Sequence, residues 1–306
     1  MTPVEAVEPA LRAVRDEHRP FSTQLRPFLF FVPAFALVAA VSFVPLGYAI
    51  VQSFFKADYL ELGTFNGLSN YVDFLFTDSG LAAIRNSLAY TAGSLAVAMP
   101  LGFVLALCLN QPIPFRGFFR TVLILPWLVS SLASALLWLW ILNADFGPLA
   151  YLLESVGIRM PPVLSNEHLA MPFVILANAW TAYPLIMVFV LAALQTVPND
   201  LMEAARIDGA GGWDRFWFVT FPLIRNTTLV ALVLTSLHAF KNVELILVMT
   251  GGGPLGATQT MAFKVFQEGF RFYRTGIAAA GAVSIFFINI VFTLAFIRVL
   301  RHDQDT

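Results

Sequence analysis

The sequence predicts an all-α integral membrane protein of six transmembrane helices, and three observations carry that prediction. Hydrophobic residues make up 58% of the 306-residue chain and charged residues only 12%. A water-soluble domain carries about 25% charged residues, so lipid is the solvent for most of this surface. Six apolar runs, at 27–51, 87–109, 121–142, 171–194, 229–249 and 276–297, follow one another along the chain. Each reaches the ~20 residues that a helix rising ~1.5 Å per residue needs to cross a ~30 Å hydrocarbon core. Only the fifth contains ionised side chains, Lys241 and Glu244.

Residues 1–26 read as a polar tail. Their four arginines are balanced by four carboxylates, which excludes a basic nucleic-acid arm. The first run exceeds the ~7–15 residues of a secretory h-region and ends without a small-x-small cleavage site, so it reads as an uncleaved helix. The second run holds Cys108, the only cysteine. A disulfide within the chain and a thiolate metal cluster are thereby excluded, and Cys108 is expected as a small apolar core residue. Pro45, Pro100, Pro126 and Pro184 fall inside runs one to four. Each removes a backbone donor and tends to kink its helix. Long loops are expected at 52–86 and 143–170. The fourth run carries Asn178, Trp180 and Tyr183 and the sixth Asn289, types that suit hydroxyl recognition and ring stacking.

Charges inside a span are costly and mark function. In the fifth run Thr235, His238, Lys241 and Glu244 recur every three residues, a stripe along one side of a helix, with Lys241 and Glu244 placed to neutralise each other. Gly251-Gly252-Gly253-Pro254 follows. It is not a phosphate-binding P-loop, which ends in Gly-Lys-Ser/Thr; none of Lys56, Lys241 and Lys264 has a glycine before it or a hydroxyl residue after it.

The segment 198–222 is the most informative. Asp200 and Glu203 form a capping-box-like start to a short helix. Gly209-Ala210-Gly211-Gly212 then allows a sharp turn at positive φ. Trp213, Phe216, Trp217 and Phe221 make an apolar face leading into Pro222. Two short helices at an angle, forming a rigid knob, are expected. Eleven Lys and Arg residues lie on the side of the termini and this loop, against six on the other, which places the loop and both termini in the cytoplasm.

Glu203-Ala204-Ala205, three residues, Gly209, nine residues and Val219-Thr220-Phe221-Pro222 resemble the docking loop of permeases from binding-protein-dependent ABC importers, with Val219 and Phe221 standing for the usual isoleucine and leucine. Gly67-Leu68-Ser69-Asn70-Tyr71, Phe146-Gly147 with Leu152-Leu153, Trp180 with Pro184, Phe240-Lys241-Asn242-Val243-Glu244 and the Gly-Pro turn at 250–254 resemble the maltose/glycerol-phosphate type of that family. The resemblance implies a type I importer transmembrane domain over 27–300. Within it Glu203, Ala204, Ala205, Asp208, Gly209 and Pro222 would contact a separate ATPase. Asn178, Trp180, Tyr183, His238, Lys241, Asn242, Glu244 and Asn289 are the candidate substrate path.

It also implies a second homologous permease, two ATP-binding subunits that hold ATP and Mg, an extracytoplasmic solute-binding protein and a sugar or sugar-derivative substrate. The setting would be a bacterial or archaeal inner membrane. No cofactor or metal is expected on this chain, no enzymatic activity and no nucleic-acid partner. A competing reading is an ion-coupled secondary carrier that uses Lys241, Glu244 and His238 as a relay; the absence of repeated hydropathy halves counts against it. With no nucleotide motif, the purified chain should neither bind nor hydrolyse ATP, and measurable turnover by the subunit freed of partners would refute the importer reading.

Overall fold

The structure, a computed structural model, describes residues 21–59 and 61–302. Contacts divide it into two compact units, residues 1–51 and 52–306. In the first, helix α1 (Phe21–Gln52) contains an apolar stretch of 22 residues, Phe31–Gln52, long enough to cross a membrane. It takes in residues 21–26, which were expected in the tail; residues 1–20 lie outside the described residues.

The second unit opens with an antiparallel hairpin, β1 (Phe55–Asp58) and β2 (Glu61–Phe65), and short helix α2 (Ser69–Leu75). Then come α3 (Asp78–Asn110), α4 (Arg116–Leu128), α5 (Ser131–Ile141), α6 (Pro148–Ser155), α7 (Ala170–Leu194), α8 (Asn199–Ile207) and α9 (Gly212–Lys241). Short helices α10 (Glu244–Met249) and α11 (Met261–Phe266) lead to α12 (Thr275–His302).

The centre of the bundle is the α3–α7 pair. Lipid offers no hydrophobic drive to join apolar helices, so small residues that bring backbones together decide which helices meet. Ala98, Ala106, Ala179 and Ala182 all lie in the shared core of these helices. A Cβ on Gly93 would sit 2.7 Å from Ile175 Cδ1, and one on Gly102 would sit 2.7 Å from the Tyr183 carbonyl oxygen. Residue numbers rise together on both helices, so the pair is parallel.

The hairpin end is tied by side chains from the Gly67–Tyr71 motif. Asn70 Nδ2 donates to the carbonyls of Ser53 (2.9 Å) and Phe55 (2.8 Å), and the Tyr71 and Ser53 hydroxyls lie 2.7 Å apart. Gly276, in the first turn of α12, packs so tightly here that a Cβ would lie 2.5 Å from the Phe55 carbonyl. The Gly251–Pro254 turn uses φ of +60° at Gly251 and +83° at Gly252, and Asn86 donates to the Gly256 and Gln259 carbonyls that follow it.

Several expectations are corrected. The third run is two helices, α4 and α5, crossing at 97°; among the described residues five helices are long enough to span, or six if the bent pair counts as one. Pro126 deprives α4 of a donor near its end, and Ser130 starts a new helix by accepting from Ala133 N (3.3 Å). The fifth run, expected at 229–249, is α9 from Gly212 to Lys241 followed by a break and α10. The second helix begins at Asp78 rather than residue 87, with Thr77 as its cap. Pro100 and Pro184, by contrast, lie within unbroken helices. Cys108 is exposed on α3, not a core residue, because the face that packs on α7 carries Ala106 and Leu109.

Gly102→Leu should force α3 from α7 and destabilise the protein by about 1–3 kcal/mol, as overpacking does. Gly117→Ala, where a Cβ meets nothing within 4 Å, should not. Thermal unfolding midpoints of the two detergent-purified variants distinguish the outcomes.

Candidate functional site

Two interrupted helices meet at one cavity of about 450 Å³. Trp127, Val129 and Ser131 reach it from the α4–α5 break, Thr181, Ala182 and Leu185 from α7, and Thr235, His238 and Lys241 from the last turns of α9. Backbone polar groups in a membrane need partners, so non-helical chain persists only where protein or a cavity satisfies it. Both breaks are capped by side chains: Ser130 at the first and, at the second, Asn242, whose Oδ1 accepts from Leu245 N at 3.3 Å.

Only part of the predicted substrate path converges here. His238 and Lys241 line the cavity, and both are exposed to it rather than buried in the chain's own core. Asn178 is fully buried on α7 with neither side-chain nitrogen nor oxygen hydrogen-bonded. Trp180 packs edge-on against Trp138, with centroids 6.1 Å apart. Tyr183 is a core residue against Gly102. Asn242 caps α10, and Asn289 on α12 donates to its own helix at the Ile285 carbonyl.

Glu244 is exposed at the start of α10 and does not line the cavity. Lys241 and Glu244 form no ion pair among the described residues, which corrects the expected buried pair. The helix break after Lys241 puts Glu244 on α10, off the helix that carries His238 and Lys241. Ser131 and Thr181 were missed; the signal for the first was Pro126 followed by Ser130-Ser131, a helix end and a cap in one apolar run.

Lys264 was also missed as a structural residue. It is 3% exposed on α11, and its ammonium donates to the Phe74 carbonyl (3.0 Å), Ser79 Oγ (3.1 Å) and Thr77 Oγ1 (3.3 Å). Burial pushes its pKa below the usual lysine range; Glu268 pulls it back up and Arg274 lowers it further. Glu268 in turn pairs with Arg274 at 2.6 Å.

At the far end of α9 lies the Glu203 loop. Helix α8 begins after Pro198, with Asp200 in its first turn and no side-chain cap, so the expected capping box does not form. Its other end is a Schellman motif: Gly209 N donates to the Arg206 carbonyl (3.1 Å) and Ala210 N to the Ala205 carbonyl (2.9 Å), with Gly209 at φ +81°. Glu203, Ala204, Asp208 and Gly209 are exposed, Ala205 is half-buried, and Pro222 sits exposed in α9. The second helix of the expected knob is not separate. It runs through a π-turn, Phe216–Thr220, into the 30-residue α9. Trp213, Phe216, Trp217 and Phe221 pack edge-on or tilted against one another there, with Phe216 edge-on to Phe103 of α3 at 5.9 Å.

Residues 98–304 match the family described as binding-protein-dependent transport system inner membrane component. The chain belongs to that family. This permease is 34% identical over 275 residues to the sn-glycerol-3-phosphate transport system permease protein UgpA of Agrobacterium fabrum, covering 89% of this chain and 94% of that one. It is 29% identical to the trehalose/maltose transport system permease protein MalF of Thermococcus litoralis, with 91% and 94% covered. The permease also superposes with a TM-score of 0.80 on a chain of a bacterial ABC transporter involved in import of the acidic polysaccharide alginate, at 22% identity, covering 93% of this chain and 99% of that one. The fold is therefore that of a type I importer permease, and the chain is an inner-membrane permease subunit of a binding-protein-dependent ABC importer rather than an enzyme.

Because a Cβ at Gly209 would meet nothing within 4 Å, only backbone strain opposes a side chain there. Gly209→Val should cost about 1–2 kcal/mol, more than Gly209→Ala, since a β-branched residue tolerates left-handed backbone worst. Equal unfolding midpoints for wild type, Ala and Val would contradict the Schellman geometry.

Proposed function

We propose that this permease forms half of the translocation path of a carbohydrate importer and is driven by a separate ATPase that grips the Glu203–Pro222 loop. The observation that carries the proposal is continuity: the exposed helix α8 leans on the start of α9, and α9 ends at the cavity. Thr220 Oγ1 lies 3.7 Å from Met202 Sδ, the seam between α8 and the π-turn. From there the same helix, Gly212–Lys241, continues without a break to His238 and Lys241. A push on α8 thus reaches the solute site without crossing a flexible joint.

In this reading Glu203 meets a basic residue of the ATPase, and Ala204 and Ala205 keep the contacting face of α8 low enough to fit a groove. Gly209 and Asp208 close the helix, and Pro222 anchors the return into the membrane. The bias of Lys and Arg supports a cytoplasmic loop and cytoplasmic termini in this reading. ATP and Mg belong to two ATP-binding partner subunits. A second permease completes the bundle and an extracytoplasmic binding protein delivers a sugar or sugar derivative to the cavity lined by Ser131, Thr181, Thr235, His238 and Lys241.

Glu203→Arg tests the loop. The side chain is exposed, so the variant should fold and join its partners. Reversing the charge at a docked contact costs several kcal/mol, so the stimulation of ATP hydrolysis by loaded binding protein should drop at least tenfold in complexes of verified subunit content. Wild-type stimulation would remove this loop from the transmission path.

A further inference from the structure

Resting on the importer reading above for its side of the membrane, we infer that the trough between α3 and α9 binds one anionic phospholipid of the cytoplasmic leaflet. Its phosphate lies on Arg225 and its chains on the rings of the π-turn. The trough holds about 660 Å³. Met99, Phe103 and Leu107 of α3 form one wall, and Phe216 and Trp217 of the π-turn with Leu229 of α9 form the other. Val104 and Trp217 line it and are exposed, so it opens outward from the chain and not into its core. Arg225 is the only charged side chain that lines it among the described residues. Thr228, the only hydroxyl there, donates to the Ile224 carbonyl at 2.9 Å.

The α3 wall from Met99 to Leu107 is about 12 Å long at ~1.5 Å per residue, which fits within one ~15 Å leaflet of a ~30 Å core. It belongs to the end of α3 at Asn110, and the opposite wall to the beginning of α9, so both lie on the side of the Glu203 loop. The cytoplasmic leaflet carries anionic lipid, and basic pockets between spans on that side hold anionic head groups. A guanidinium offers a planar fork of donors that matches a phosphate. A phospholipid brings a phosphate and apolar chains in one molecule, the two surfaces that this trough presents together. A free phosphate or a sugar would leave the ring-lined walls unused. The place also matters. Phe216 and Trp217 belong to the π-turn against which α8 rests, so a lipid between these rings and α3 braces the joint that a push on α8 must cross.

The test places the full complex, with its partner permease, ATPases and binding protein, in phosphatidylcholine vesicles. These carry a trace of chain-labelled photoreactive phosphatidylglycerol or photoreactive phosphatidylcholine. Labelling is read by mass spectrometry on peptides of this chain covering 99–107 and 216–229, and needs no transport. The phosphatidylglycerol probe should label wild type about tenfold more than the other, the preference a charge-assisted pair supports. Arg225→Gln should erase the preference and Arg225→Lys should keep part of it. Val104→Trp, which fills the trough from an exposed position, should lower labelling by both probes, and it tests the site even where Arg225→Gln fails to assemble. Equal labelling of wild type by both probes, a preference that survives Arg225→Gln, or labelling undiminished by Val104→Trp would each overturn the proposal. So would a trough labelled by neither probe, which would assign it to the partner permease. In vesicles of equal parts phosphatidylcholine and phosphatidylglycerol, stimulation of ATP hydrolysis by loaded binding protein should rise in wild type and not in Arg225→Gln. No rise in wild type would refute the brace. No stimulation in either lipid, with labelling intact, would instead defeat the importer reading.

Discussion

Most of this structure answers to one constraint: inside hydrocarbon every backbone amide and carbonyl must find a partner within the protein. Long unbroken helices are the simplest solution, and α3, α7 and α9 adopt it. The two departures, after Val129 and after Lys241, are closed by the side chains of Ser130 and Asn242, and both open onto the same cavity. Polar chain is tolerated where it does something, and here both tolerated places border the cavity lined by His238 and Lys241.

The same constraint governs side chains. Thr228, Thr235 and Ser284 return their hydroxyls to the carbonyl one turn back, so they cost little in lipid. Asn178 does not: its amide is buried and neither its oxygen nor its nitrogen has a hydrogen bond among the described residues. An unmet buried amide costs ~1–3 kcal/mol.

The spans were legible in the sequence because the apolar runs are long and almost uncharged, and the Glu203 loop because its glycine falls where a helix must reverse. Gly209 at φ +81° is what that pattern requires. The broken third run was not legible by hydropathy, which sums over Leu128–Leu142 without registering that Ser130 is a cap. The Lys241–Glu244 pairing failed for a related reason: a spacing of three implies proximity only while the helix continues, and this one stops at Lys241. Lys264 escaped because its acceptors come from α2, the loop before α3 and the first turn of α3, nearly two hundred residues away in sequence. The hairpin at 55–65 was hidden in what read as a plain loop.

Gly93 and Gly102 decide what can move. A helix pair meshed at two glycines resists sliding: advancing α3 along α7 by one residue, about 1.5 Å, would carry a side chain into the Ile175 or Tyr183 position now reserved for a hydrogen atom. The pair is thus a stiff plank that can tilt but not shear. The compliance lies elsewhere, in the extended residues at Val129–Ser130 and at Asn242, where no ladder of helical bonds resists rotation. A load on such a frame is relieved by swinging at the joints, and both joints border the cavity.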